Sequence, residues 1–172
     1  MAFENFNLQN FWNNNDYALK TYVGTKLTKN MVEVAQSKLG YTFPVSYITL
    51  LANQNGGIPN NTHFPIPQTN GNKQEYVTIS GILGINPKAN SLLGSMGSRA
   101  LIEEWGYPPI GIVVCNCKQA GHENIMLDYT KKGVPSVVHV DVKEGEDPVV
   151  TYLAKDFEQF VQGLIKDIPQ ES

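Results

Sequence analysis

Three strand-like runs follow one another between Ile110 and Val142, and their order constrains the fold more than any other feature of the chain. Residues 110–117 are almost continuously apolar, as a central strand covered on both faces should be. Residues 124–129 alternate instead, with Ile125, Leu127 and Tyr129 on one side and Asn124, Met126 and Asp128 on the other. In residues 137–142, Val138, Val140 and Val142 alternate with Val137, His139 and Asp141. The connecting Lys131-Lys132-Gly133 and the breaker Glu144-Gly145-Glu146-Asp147-Pro148 join these runs as a meander of antiparallel strands. Residues 149–153 add a short strand.

Helical spacing brackets this sheet. Thr28 is a good N-cap, Met31, Val34, Ala35 and Lys38-Leu39 follow at helical intervals, and Gly40 ends the run. Pro44 has the fixed φ that suits a first helical position. Val45, Ile48, Leu51 and Ala52 recur behind it, with Tyr47 and Leu50 beside them, until Asn53-Gln54-Asn55-Gly56-Gly57 stops the helix. A shorter helix over 16–23 would turn Tyr17, Leu19 and Tyr22 toward the body. From His63 the pattern becomes short extended pieces, with a turn at Asn70-Gly71 and one or two strands over 76–85 around Gly81 and Gly84. Gly94 and Gly97 restrict 91–105 to short helical turns, and Pro108-Pro109 closes that region. A last amphipathic helix over 155–168 carries Phe157, Phe160, Val161, Leu164 and Ile165. The expected class is α+β: N-terminal helices, a central and mostly antiparallel sheet, and a C-terminal helix packed on it, in one domain over 1–172.

Charge and composition narrow the function. Up to Cys117 there are seven Lys/Arg against six Asp/Glu, and from Lys118 onward six against ten. No basic patch is clustered for nucleic acid, while a mildly acidic C-terminal half suits a basic partner. Cys115 and Cys117 are the only cysteines, so no disulfide framework is expected. The N-terminus lacks a basic segment followed by an apolar stretch, and no apolar run approaches the ~20 residues of a membrane span. A cytoplasmic protein is the expectation.

The motifs of common enzymes are missing: no phosphate-binding loop, no Gly-x-Ser-x-Gly elbow, no pair of histidines four apart around a glutamate. Cys115-x-Cys117 with His122 offers three zinc-type ligands. However, cysteines two apart on a strand continue the apolar row of Val113, so core packing is the reading adopted and no metal or other cofactor is expected. His139-x-Asp141, with Asp128 nearby, is the one candidate acid–base group, and a polar row on a half-buried strand explains it as well. Glu103-Glu104-Trp105-Gly106-Tyr107 combines acidic and aromatic side chains in a loop, the composition of a binding surface.

Leu39-Gly40-Tyr41-Thr42-Phe43-Pro44-Val45-Ser46-Tyr47, then Leu50-Leu51 and Asn55-Gly56-Gly57, resembles the signature of the SUKH superfamily, which includes fungal Smi/Knr cell-wall-assembly regulators and bacterial immunity proteins. Asn124-Ile125-Met126-Leu127-Asp128 and the closing Ala154-Lys155-Asp156-Phe157-Glu158-Gln159-Phe160 are similar to the family's later strand and final helix. The resemblance runs from Thr28 to Ile168 and leaves residues 1–27 as a variable, Asn-rich N-terminal extension. Leu39, Gly40, Pro44, Tyr47, Asn55, Gly56 and Gly57 are then scaffold residues: Gly40 ends one helix, Pro44 starts the next, and Tyr47 packs between them with a hydroxyl that needs a partner.

The resemblance implies an intracellular antidote that binds and blocks a cognate protein toxin, often a nuclease, with no catalytic residues of its own. A Smi/Knr-like regulatory scaffold with a housekeeping partner is the alternative. The expected partner is a protein, with no role for nucleic acid or membrane. The candidate contact residues are Glu103, Glu104, Trp105 and Tyr107, with Glu123, Asp128, His139 and Asp141 as a second patch.

Overall fold

The computed structural model describes residues 2–67, 73–118 and 122–170. Eleven elements follow in order: α1 (Asp16–Thr21), α2 (Lys29–Leu39), α3 (Val45–Asn53), β1 (His63–Pro65), β2 (Tyr76–Ile82), α4 (Ser98–Glu104), β3 (Gly111–Cys117), β4 (Glu123–Asp128), β5 (Ser136–Asp141), β6 (Val149–Ala154) and α5 (Phe157–Gln162). The six strands lie in chain order, β1 to β6, and every neighbouring pair is antiparallel. The fold is α+β, and the meander expected between Ile110 and Val142 is its centre. The Asn70-Gly71 turn lies outside the described residues.

Local chemistry sets the helix ends. Thr28 Oγ1 accepts from the Met31 amide at the start of α2, and Gly40 ends it at φ 81°, the left-handed conformation a glycine C-cap supplies. Pro44 falls one position earlier than expected: it is the N-cap of α3, with extended backbone, and Val45 is the first helical residue. The buried faces also rotate. Val32 and Ala35 are buried in α2 while Val34 is 41% exposed, and in α3 the buried set is Ser46, Tyr47, Leu50 and Leu51 with Val45 at the surface. The α5 helix is shorter than the 155–168 expectation. Asp156 caps it, Gly163 ends it, and the chain turns so that Ile165 bridges back to His63 on β1.

The sheet is covered on both faces. Residues Asn124 to Leu127 of β4 are all buried, where a half-exposed alternation was expected. On one face the Tyr107 hydroxyl accepts from Asn124 Nδ2 at 2.8 Å, and the Tyr22 hydroxyl donates to Asn116 Oδ1 at 2.7 Å. Gly81 makes room for that arrangement, because a Cβ there would stand 2.3 Å from the Tyr22 ring. On the other side Tyr47 stacks edge-on against Phe157 of α5, 5.2 Å between centroids, and its hydroxyl donates to the Leu83 carbonyl. That is the partner its burial requires. A bulge between Val113 and Cys115 shifts the register, so Val113 pairs with Met126 and Cys115 with Ile125. The two cysteines therefore do not continue the row of Val113.

Residues before α2 join the same core. Phe3, Phe11, Ala18 and Tyr22 are buried, whereas Tyr17 and Leu19 face outward. Trp12 bridges to Pro59, and its indole N–H donates to Asn53 Oδ1 at 2.8 Å. Among the described residues no helix is long and apolar enough to cross a membrane.

Candidate functional site

Asn55 shows what the scaffold motif does. Its buried amide donates to the Thr25 carbonyl at 2.9 Å and the Ile85 carbonyl at 2.8 Å, and its Oδ1 accepts from the Ile85 amide at 2.7 Å. One side chain thereby clamps the exit of β2 and the segment before α2 onto the end of α3. Gly56 beside it has φ 92°, and a Cβ would approach the Tyr22 carbonyl to 2.6 Å. Among the described residues every buried side-chain nitrogen or oxygen has a hydrogen-bond partner.

The two groups of contact candidates fall unequally. Glu103 and Glu104 end α4 at the surface, Glu103 pairing with Arg99 at 3.2 Å, and Trp105 is 43% exposed. Tyr107 is a correction: it is 2% exposed, its hydroxyl is engaged by Asn124, and burial pushes its ionisation well above the usual tyrosine range. It supports the turn from beneath and presents no surface to a partner. Gly106 lies against Val142, so this turn adjoins the end of β5.

At that end the strand register places Glu123 opposite Asp141 and Ile125 opposite His139. His139 Nε2 is 3.6 Å from Glu123 Oε2, and Asp141 is 4.0 Å from Lys143 Nζ. Asp128 is a second correction. It sits at the far end of β4 opposite Ser136, and its Oδ1 accepts from the Thr130 amide and hydroxyl. It therefore cannot complete an acid–base group with His139 and Asp141, and the second patch reduces to Glu123, His139 and Asp141.

Cys115 and Cys117 are both buried, as core packing requires, and His122 is exposed. Instead Cys117 meets Glu123 and His139, one ligand atom from each lying within 4.8 Å of the others. Burial, with Cys115 and Glu123 nearby, holds the Cys117 thiol protonated well above its ordinary range.

The strand β6, at the sheet's edge, supplies surface residues that the sequence reading passed over. Val149 is 56%, Val150 44% and Tyr152 53% exposed, and Val149 pairs directly with Asp141. The signal was present, since the last strand of a meander has an unpaired edge, and its outward side chains are free unless something covers them.

The molecule is an α+β meander domain whose buried polar side chains serve the scaffold. Residues 29–161 match SUKH_6, described as SMI1-KNR4 cell-wall, and the chain belongs to that family. No curated protein and no solved structure matches it.

Proposed function

We propose that this protein is a bacterial immunity protein, free of catalytic activity, that neutralises a cognate toxin by stoichiometric binding. The reading is supported by family membership and carried by one observation: exposed acidic and apolar side chains occur together, Glu103 and Glu104 beside Trp105 at the end of α4, and Glu123 and Asp141 beside Val149 where β4, β5 and β6 pair, with Val150 and Tyr152 also exposed on β6. Acidic groups beside exposed apolar ones suit the basic surface by which a nuclease holds its substrate, and such complementarity speeds encounter as well as selecting the partner. Binding there would occlude the toxin's active surface.

Co-expression with the toxin encoded beside it tests this reading. The wild-type chain should restore growth, and a Glu103→Lys/Glu104→Lys/Tyr152→Ala variant with unchanged melting should protect poorly. Full protection by that folded variant would place the contact elsewhere. The family's SMI1-KNR4 cell-wall description favours a second reading, a regulatory scaffold with a housekeeping partner. Recovery of one stoichiometric host protein on the immobilised chain, with no toxin gene nearby, would favour it.

A further inference from the structure

We propose that Cys117, Glu123 and His139 form a binding site for a zinc ion, a proposal that does not rest on the partner reading above although Glu123 belongs to both. Three strands converge to build it: Cys117 ends β3, Glu123 begins β4 across the hairpin, and His139 lies on β5 beside them. The three potential ligand atoms lie within 4.8 Å of one another. The His139–Glu123 separation of 3.6 Å is too long for a hydrogen bond. It is close to the edge of a tetrahedron around zinc, about 3.4 Å for ligands bound at ~2.1 Å. A contraction of at most about 1.3 Å in the longest separation, within reach of side-chain rotation, brings the sulfur to its own edge of about 3.5 Å.

The donor set selects the metal. A thiolate, an imidazole and a carboxylate together suit zinc better than calcium or magnesium, which take oxygen ligands. Binding forms bonds from the ion to Sγ, to an imidazole nitrogen and to a carboxylate oxygen, and the thiol's proton leaves to solvent. A divalent cation also reverses the local electrostatics, offsetting the burial and the Glu123 charge that otherwise keep the thiol protonated. The Glu123 side chain is 29% exposed, which gives the ion a path from solvent and leaves the fourth position to water.

Along the chain Cys115, Cys117 and His122 are the close-spaced candidate ligands, and core packing is the better reading of that set. The sheet instead joins Cys117 to a histidine from the next hairpin, a relation that only register reveals.

The test is titration of the chelator-free protein with Co²⁺, followed by competition with Zn²⁺. One equivalent of Co²⁺ should produce thiolate charge-transfer absorption and tetrahedral ligand-field bands, both removed by Zn²⁺. Cys117→Ser should abolish the charge-transfer band, and Cys115→Ser should keep it. Glu123→Gln and His139→Ala are less buried changes, and each should weaken Co²⁺ binding at least about tenfold, since loss even of an outer-shell partner costs about 10–100-fold. Absence of the band in folded wild-type protein would overturn the site. So would its survival in Cys117→Ser, or unchanged affinity in both Glu123→Gln and His139→Ala, which decide the matter even where a cysteine variant fails to fold.

Discussion

Replacing Asn55 with alanine removes three hydrogen bonds at one point, and their worth can be worked out from what is left behind. The Ile85 N–H and C=O lose their partner at a residue 6% exposed, whereas the Thr25 carbonyl belongs to an exposed residue and can take water. A buried polar group left unpaired costs about 1–3 kcal/mol, so the two Ile85 groups should cost about 2–6 kcal/mol together. Against a typical domain stability of about 5–15 kcal/mol, the melting temperature should fall by roughly 5–20 °C. Asn60→Ala is the matched control: its amide donates to the Asn10 and Trp12 carbonyls at the surface, and its loss should cost under about 1 kcal/mol. Asn55→Asp sharpens the test. It keeps an acceptor for the Ile85 amide but sets a carboxylate against two carbonyl oxygens, so it should be no better than alanine. Urea unfolding followed by circular dichroism reads all three. A loss for Asn55→Ala no greater than for Asn60→Ala, or a near-wild-type Asn55→Asp, would refute the clamp.

Tyr107→Phe should cost about 1–3 kcal/mol in urea unfolding by leaving the buried Asn124 amide unpaired, without altering partner affinity at saturating folded protein. Gly56→Ala should destabilise by more than about 1 kcal/mol, measured the same way, because the left-handed φ and the Tyr22 carbonyl both oppose a Cβ. Stability should also fall at alkaline pH. Burial raises Cys115 and Tyr47 above their ordinary 9.0 and 10.0, so the native chain keeps protons that the unfolded chain releases. The contribution is whole below about pH 9 and declines as pH rises, by about 1.4 kcal/mol per unit for each group once its unfolded form has ionised. Urea midpoints at about pH 8 and pH 10.5 should therefore differ clearly; equal midpoints would contradict the burial of these groups.

Much of the architecture was legible because local chemistry and tertiary demand agree. Thr28, Gly40 and the runs around Ile112, Ile125 and Val138 each point to the element they form. The misreadings arise where packing overrides periodicity. Val34 and Val45 have the right spacing for a core face yet are exposed, because α2 and α3 turn Val32, Tyr47 and Leu50 inward. Tyr107 reads as a loop aromatic, and only its bond to Asn124 shows that the loop folds back over the sheet. The site depends on strand register, which a bulge at Val113/Cys115 alters and which no spacing along the chain encodes. Hence Glu123 and His139 come together while Asp128, an equally good candidate by sequence, is left at the opposite end of its strand.

The most direct test of the proposed role is calorimetric titration of the purified chain with the toxin domain encoded immediately beside it. One-to-one binding that silences the toxin's activity, and that weakens with rising salt as acidic contacts are screened, is the predicted result. No heat of binding between two folded proteins, or binding that leaves the toxin active, would contradict the account.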